Sequence, residues 1–155
     1  MPIDFRFIFS LQSTIVTWID ERLEKRNELI RRNTAVASGA EGLFNDLWKE
    51  VFSLLTEAKQ KGFGIRTNGS SFERFAWVSN YPPSRDEREL KLNLSREEEK
   101  VSATICNQVI EFSIDMCEDG VVCLKREGKA VLIQEAAKYI LDPLLFPELQ
   151  AKIIT

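Results

Sequence analysis

Cys117 and Cys123 bracket the acidic turn of CEDGVVC, and this pair of thiols is the nearest thing to a chemical motif in the chain. A zinc or iron–sulfur centre needs about four thiolate or imidazole ligands at paired spacings. The sequence holds three cysteines and no histidine, so no metal site is expected. The acidic turn also lacks the alternating oxygen ligands and closing glutamate of a calcium loop. Glu118, Asp119 and Asp115 surround the two sulfurs with negative charge, which disfavours a thiolate nucleophile.

The missing histidine removes the commonest general base near neutral pH, together with Ser-His and Cys-His nucleophile pairs. Carboxylate, lysine, tyrosine or lone-thiol chemistry remains, or chemistry supplied by a cofactor; no residue pattern calls for one. Glu111 and Asp115 are the carboxylates best placed for acid–base work, but beside Thr104 and Lys100 they read as cross-strand partners on a wet sheet face. The glycines of KGFGIRTNGS follow a helix, whereas a phosphate loop wants a strand, then glycines, then a helix N-terminus. They read as a helix stop and a hairpin turn.

FERFAWVSNYPPSRDER has the composition of a binding surface, since aromatic residues and arginines dominate interaction hot spots and loops on a rigid sheet often carry function. Trp77, Tyr81, Arg85 and Arg88 are the partner-binding candidates. The plainer alternative packs Phe75 and Trp77 under a helix. The balance of 21 Lys and Arg against 24 Asp and Glu, net charge -3, argues against a nucleic-acid footprint.

The elements that must position these residues follow from hydrophobic periodicity. Residues 5 to 32 predict a long helix whose first half is apolar nearly all round, so it must be covered by its own domain or by a second subunit. Phe7, Ile8, Leu11, Ile15 and Trp18 are the self-association candidates. Its second half, DERLEKRNELIRRN, has Glu and Arg three and four apart and reads as a solvated helix. The uncharged run from Phe7 to Ile19 is shorter than the roughly 20 residues of a membrane span. TAVASGAE reads as a break, with Ser38 and Glu41 as a capping box opening a second helix over 38–61. That helix carries an apolar stripe through Leu43 or Phe44, Leu47, Trp48, Val51, Leu54 or Leu55 and Ala58, and stops at Gly62.

From Phe63 the period becomes two, predicting strands near 63–67, 72–80, 88–95, 100–106, 109–117 and 121–126. A loop at 96–99 sets Leu94 opposite Val101, Leu92 opposite Ala103 and Leu90 opposite Ile105. A turn at Asn107-Gln108 sets Ile105 opposite Ile110 and Val101 opposite Ile114. A three-residue turn with Gly120 left-handed sets Val122 opposite Met116 and Leu124 opposite Ile114, burying the apolar residues on one face. Cys117 and Cys123 are then diagonal neighbours at a spacing of about 7 Å, at the limit for a disulfide. No bond is expected. A C-terminal helix beginning near Val131 or Leu132 should end at Asp142-Pro143, with a last helix at ELQAKII.

The expectation is therefore one α+β domain over 1–155. It has two N-terminal helices, an antiparallel meander of five or six strands (63–126) with helices on one face, and a C-terminal helical segment (131–155). Three cysteines without a secretory leader suggest reduced thiols and a cytoplasmic protein. Two functions are compatible with this chain. One is a non-enzymatic interaction module that dimerises through residues 1–34 or binds a protein partner. The other is a small-molecule binder or cofactor-dependent enzyme with a pocket between sheet and helix, with room near Ala103 between Leu92 and Phe112.

Overall fold

The computed structural model describes residues 5–80 and 87–154, with side chains from 17 to 80 and from 87 to 150. The chain divides into two units, residues 1–34 and 35–155. A single helix of 56 residues, α1 (Phe5–Gln60), takes the place of the two expected N-terminal helices. Three alanines in TAVASGAE favour helix strongly enough to carry it through. The Ser38 hydroxyl does not cap a new helix; it donates to the Ala35 carbonyl at 3.2 Å, one turn back. Glu41 pairs instead with Arg96 at 2.8 Å. Gly39 is a packing residue, because a Cβ there would meet Val122 Cγ2 at 3.1 Å.

In the first unit, every side chain from 17 to 31 is exposed. In the second unit, the rest of α1 lays Val36, Ala40, Phe44, Leu47, Val51, Leu55 and Ala58 into the core, close to the predicted stripe. The helix closes as expected at Gly62, whose φ is +105°. Phe63 N–H donates to Ala58 O at 3.1 Å and Gly62 N–H to Lys59 O at 3.2 Å, the paired bonds of a Schellman stop.

Seven antiparallel strands follow in sequential order: β1 (Gly64–Gly69), β2 (Glu73–Ser79), β3 (Glu87–Ser95), β4 (Lys100–Ile105), β5 (Gln108–Met116), β6 (Val122–Arg126) and β7 (Lys129–Val131). β7 exceeds the predicted count. Its turn, Glu127-Gly128, has both residues left-handed, the two-residue hairpin geometry usually given by Asn-Gly or Asp-Gly. Two helices close the chain, α2 (Ile133–Leu145) and α3 (Pro147–Ile154). Pro143 lies inside α2 rather than ending it. Its missing N–H removes one bond near the last turn, and the helix then stops at Phe146, whose N–H reaches Asp142 O at 2.8 Å.

The expected pairing of β3 with β4 is found, with Leu90, Leu92 and Leu94 opposite Ile105, Ala103 and Val101. So is that of β5 with β6, with Gly120 left-handed. The β4–β5 pair differs by two residues: Val101 faces Phe112 and Ala103 faces Ile110. The turn is Cys106-Asn107, with Cys106 at φ +55°. A shift of two preserves which face each side chain occupies, so the apolar face survives the error. Leu90, Leu92, Val101, Ala103, Phe112, Ile114 and Leu124 form one core with the second-unit part of α1 and with Ala136, Ala137, Ile140 and Leu144 of α2.

Candidate functional site

Three features of the described residues stand apart from the core: a helical stripe in the first unit, and an aromatic ledge and a cavity in the second. Along α1, Trp18, Ile19, Leu23, Leu29 and Ile30 are all large, apolar and exposed, Trp18 at 64% and Leu29 at 57%. At about 100° per residue they fall within an arc of about 140°, one face of the helix. Of the residues singled out for self-association, Trp18 belongs to this stripe. Phe7, Ile8, Leu11 and Ile15 lie on the α1 backbone with side chains outside the described residues. Leu29 and Ile30 carry no clear apolar signal in the sequence because Glu and Arg surround them. Asp20 and Glu21 border the stripe at one end, and Arg31 and Arg32 border it at the other.

The aromatic segment is divided by the sheet. Trp77 stacks on Phe75, centroids 5.8 Å apart and planes within 9°. Both alternate with buried Ala76 and Val78, so they lie on the face away from the helices and do not pack beneath one. Arg66 sits 5.0 Å from the Trp77 ring centroid and bonds Glu87 at 3.0 Å. Tyr81 and Arg85 lie outside the described residues. Arg88 is turned inward and only 7% exposed. Its Nε donates to Leu144 O at 2.6 Å and its Nη2 donates to Asn80 Oδ1. It ties β3 to the negative end of α2.

The outer sheet face carries cross-strand ion pairs: Lys91 with Glu73 at 3.5 Å, Lys100 with Glu111 at 3.1 Å and Lys125 with Asp115 at 3.7 Å. Lys100 also holds Glu98 at 2.9 Å. The hydrogen bonds of Glu98 and then Glu111 raise the Lys100 ammonium above its ordinary range. Exposed pairs of this kind stabilise modestly and leave the carboxylates engaged.

At the edge of this face Cys117 and Cys123 form a disulfide, with Cα atoms 6.1 Å apart. This overturns the expectation of free thiols. Cys117 N–H bonds Val121 O at 2.8 Å and Gly120 N–H bonds Cys117 O at 2.9 Å. The turn places Gly120 in the left-handed region, and the 6.1 Å spacing lies inside the range that a disulfide spans. Cys106 is free and exposed.

A cavity of about 900 Å³ opens between the C-terminal end of α1, the start of β5, the end of β6 and α2. Leu54, Ala58, Ile110, Leu141 and Leu145 give it an apolar lining. Arg126 lies 4.8 Å from the Tyr139 ring centroid, and Phe63 meets Phe146 edge to face at 5.9 Å. Leu92, Ala103 and Phe112, where space for a ligand was expected, are all fully buried in the core and do not line this cavity. No periodicity marks the cavity in the sequence, since its wall is assembled from five separate elements, α3 contributing Gln150.

Among the described residues no group of three or more Cys, Asp or Glu is gathered for a metal ion, and no helix is long and apolar enough to cross a membrane. No family model, no curated protein and no solved structure matches the chain.

Proposed function

We propose that this protein is a non-enzymatic interaction module that pairs with a second copy of itself through the N-terminal helix. One observation carries the reading: five large apolar side chains share one exposed face of residues 17–31. Large apolar side chains gathered on one exposed face are a feature of interaction sites. The occupant is a second copy because the charges along residues 20–32 are self-complementary. The first half of the segment is acid-rich, with Asp20, Glu21 and Glu24 against Arg22 and Lys25. The second is base-rich, with Arg26, Arg31 and Arg32 against Glu28. An antiparallel pair sets the acidic half of each helix beside the basic half of the other. A parallel pair would set like against like.

The test is sedimentation equilibrium of the full chain beside Leu23→Glu with Ile30→Glu. Both positions are exposed, so the variant retains its fold. The wild type is expected as a dimer and the variant as a monomer; a monomeric wild type sinks the proposal. The Phe75–Trp77 ledge with Arg66 supports protein binding as a further role of the module. The Cys117–Cys123 bond favours an oxidising compartment over the cytoplasm expected from reduced thiols, and it supplies its own check. In a reducing cytosol the pair is held as dithiol, so trapping thiols in intact cells should label both; a persistent disulfide places the protein in an oxidising compartment.

A further inference from the structure

We propose that the cavity between the end of α1 and α2 binds a small amphipathic organic anion, with its apolar body on Leu54, Ala58 and Ile110 and its acid group at Arg126. Ligand sites for small molecules measure about 300–1,000 Å³ and combine an apolar lining with a few placed polar groups. This cavity, at about 900 Å³, has that make-up. Its volume suits one organic molecule and is too small for a folded partner.

The sign of the ligand follows from the charges around the lining. Glu57 is engaged by Lys61 at 3.6 Å, and Asp142 accepts from the Gln150 amide. Glu135 stands in the first turn of α2, where the helix N-terminus stabilises its charge. Arg126 and Lys138 are the lining cations with no carboxylate partner among the described residues. The Tyr139 ring beside the Arg126 guanidinium favours a stacked orientation, which keeps the in-plane N–H donors available to a carboxylate or sulfonate. A charge-assisted contact of this kind is stronger than a neutral hydrogen bond.

Isothermal titration of the full chain with decanoate, decanol and decyltrimethylammonium tests this. Decanoate should bind once per chain and about tenfold tighter than the cation. Arg126→Gln, at a partly exposed position, should weaken decanoate about tenfold and leave decanol unchanged. Ala58→Phe, which fills the lining, should abolish binding of all three. Equal affinity for anion and cation overturns the proposal, as does an unchanged decanoate affinity in Arg126→Gln or no binding by the wild type. If circular dichroism shows Ala58→Phe unfolded, the Arg126→Gln comparison decides. Leu23→Glu with Ile30→Glu should bind decanoate as the wild type does, so this result stands apart from the fate of the self-association reading.

Discussion

Residues 17–31 and 36–58 of α1 are both amphipathic helix, yet every side chain of the first stretch is exposed while the apolar stripe of the second is almost wholly buried. Composition within the stripe separates them. Val36, Ala40, Phe44, Leu47, Val51 and Leu55 admit no charged residue, as a surface laid on a β-sheet requires. The face with Trp18, Ile19, Leu23, Leu29 and Ile30 also includes Arg22 and Arg26, whose aliphatic stems can lie along apolar surface while the guanidinium reaches water. A seam between two helices tolerates such residues; a sheet core does not. The comparison shows that burial pattern and sequence pattern can part company within one helix.

The largest effect expected from breaking this contrast is in the core. Phe44→Ala should cost about 3–5 kcal/mol in urea unfolding. Leu23→Ala, measured at concentrations where the chain is monomeric, should cost less than about 0.5 kcal/mol. Similar losses at both sites would erase the distinction between the two stretches. Next in size, Cys117→Ser with Cys123→Ser should lower stability by about 2 kcal/mol, the loop-closure entropy of a short hairpin; no change would mean that the bond forms no part of the folded protein.

Helix continuity gives a smaller and opposite signal. Gly42 has nothing within 4 Å of where its Cβ would be, so Gly42→Ala should raise stability by about 0.5–1 kcal/mol. Gly39→Ala should gain less, because Val122 stands 3.1 Å away. If both gain equally, the close approach of α1 to β6 is not a constraint. The smallest effect is electrostatic. Lys100 has a raised folded value, so its contribution is complete below the ordinary value of 10.5 and fades as pH climbs through the higher folded one. The difference between wild type and Lys100→Met should therefore be constant through neutral pH and shrink only in strong alkali.

Much of the second unit was legible because period-two alternation and turn residues act locally. The Leu90, Leu92 and Leu94 face, the left-handed Gly120 and the Gly62 stop all follow from such signals. The β4–β5 register slipped by two because an Asn-containing turn was centred one residue late, and an even slip leaves no trace in the apolar pattern. β7 was hidden because Lys129, Ala130 and Val131 are too few to show a period; the glycine in Glu127-Gly128 was the usable cue. The helix break at Ser38 was a misreading of small residues that serve packing. The disulfide depended on the distance between Cys117 and Cys123 in space, and the cavity on the meeting of distant segments. Neither is written in residue spacing.

The antiparallel pairing of residues 17–31 is tested most directly by reversing its flanking charges and measuring sedimentation equilibrium of the full chain at low salt. Asp20→Arg with Glu21→Arg should weaken the dimer, because each changed end then faces Arg31 and Arg32 of the other copy. Adding Arg31→Glu and Arg32→Glu to the same chain should restore it. A wild type that is monomeric, or a dimer indifferent to the first reversal, would contradict the account.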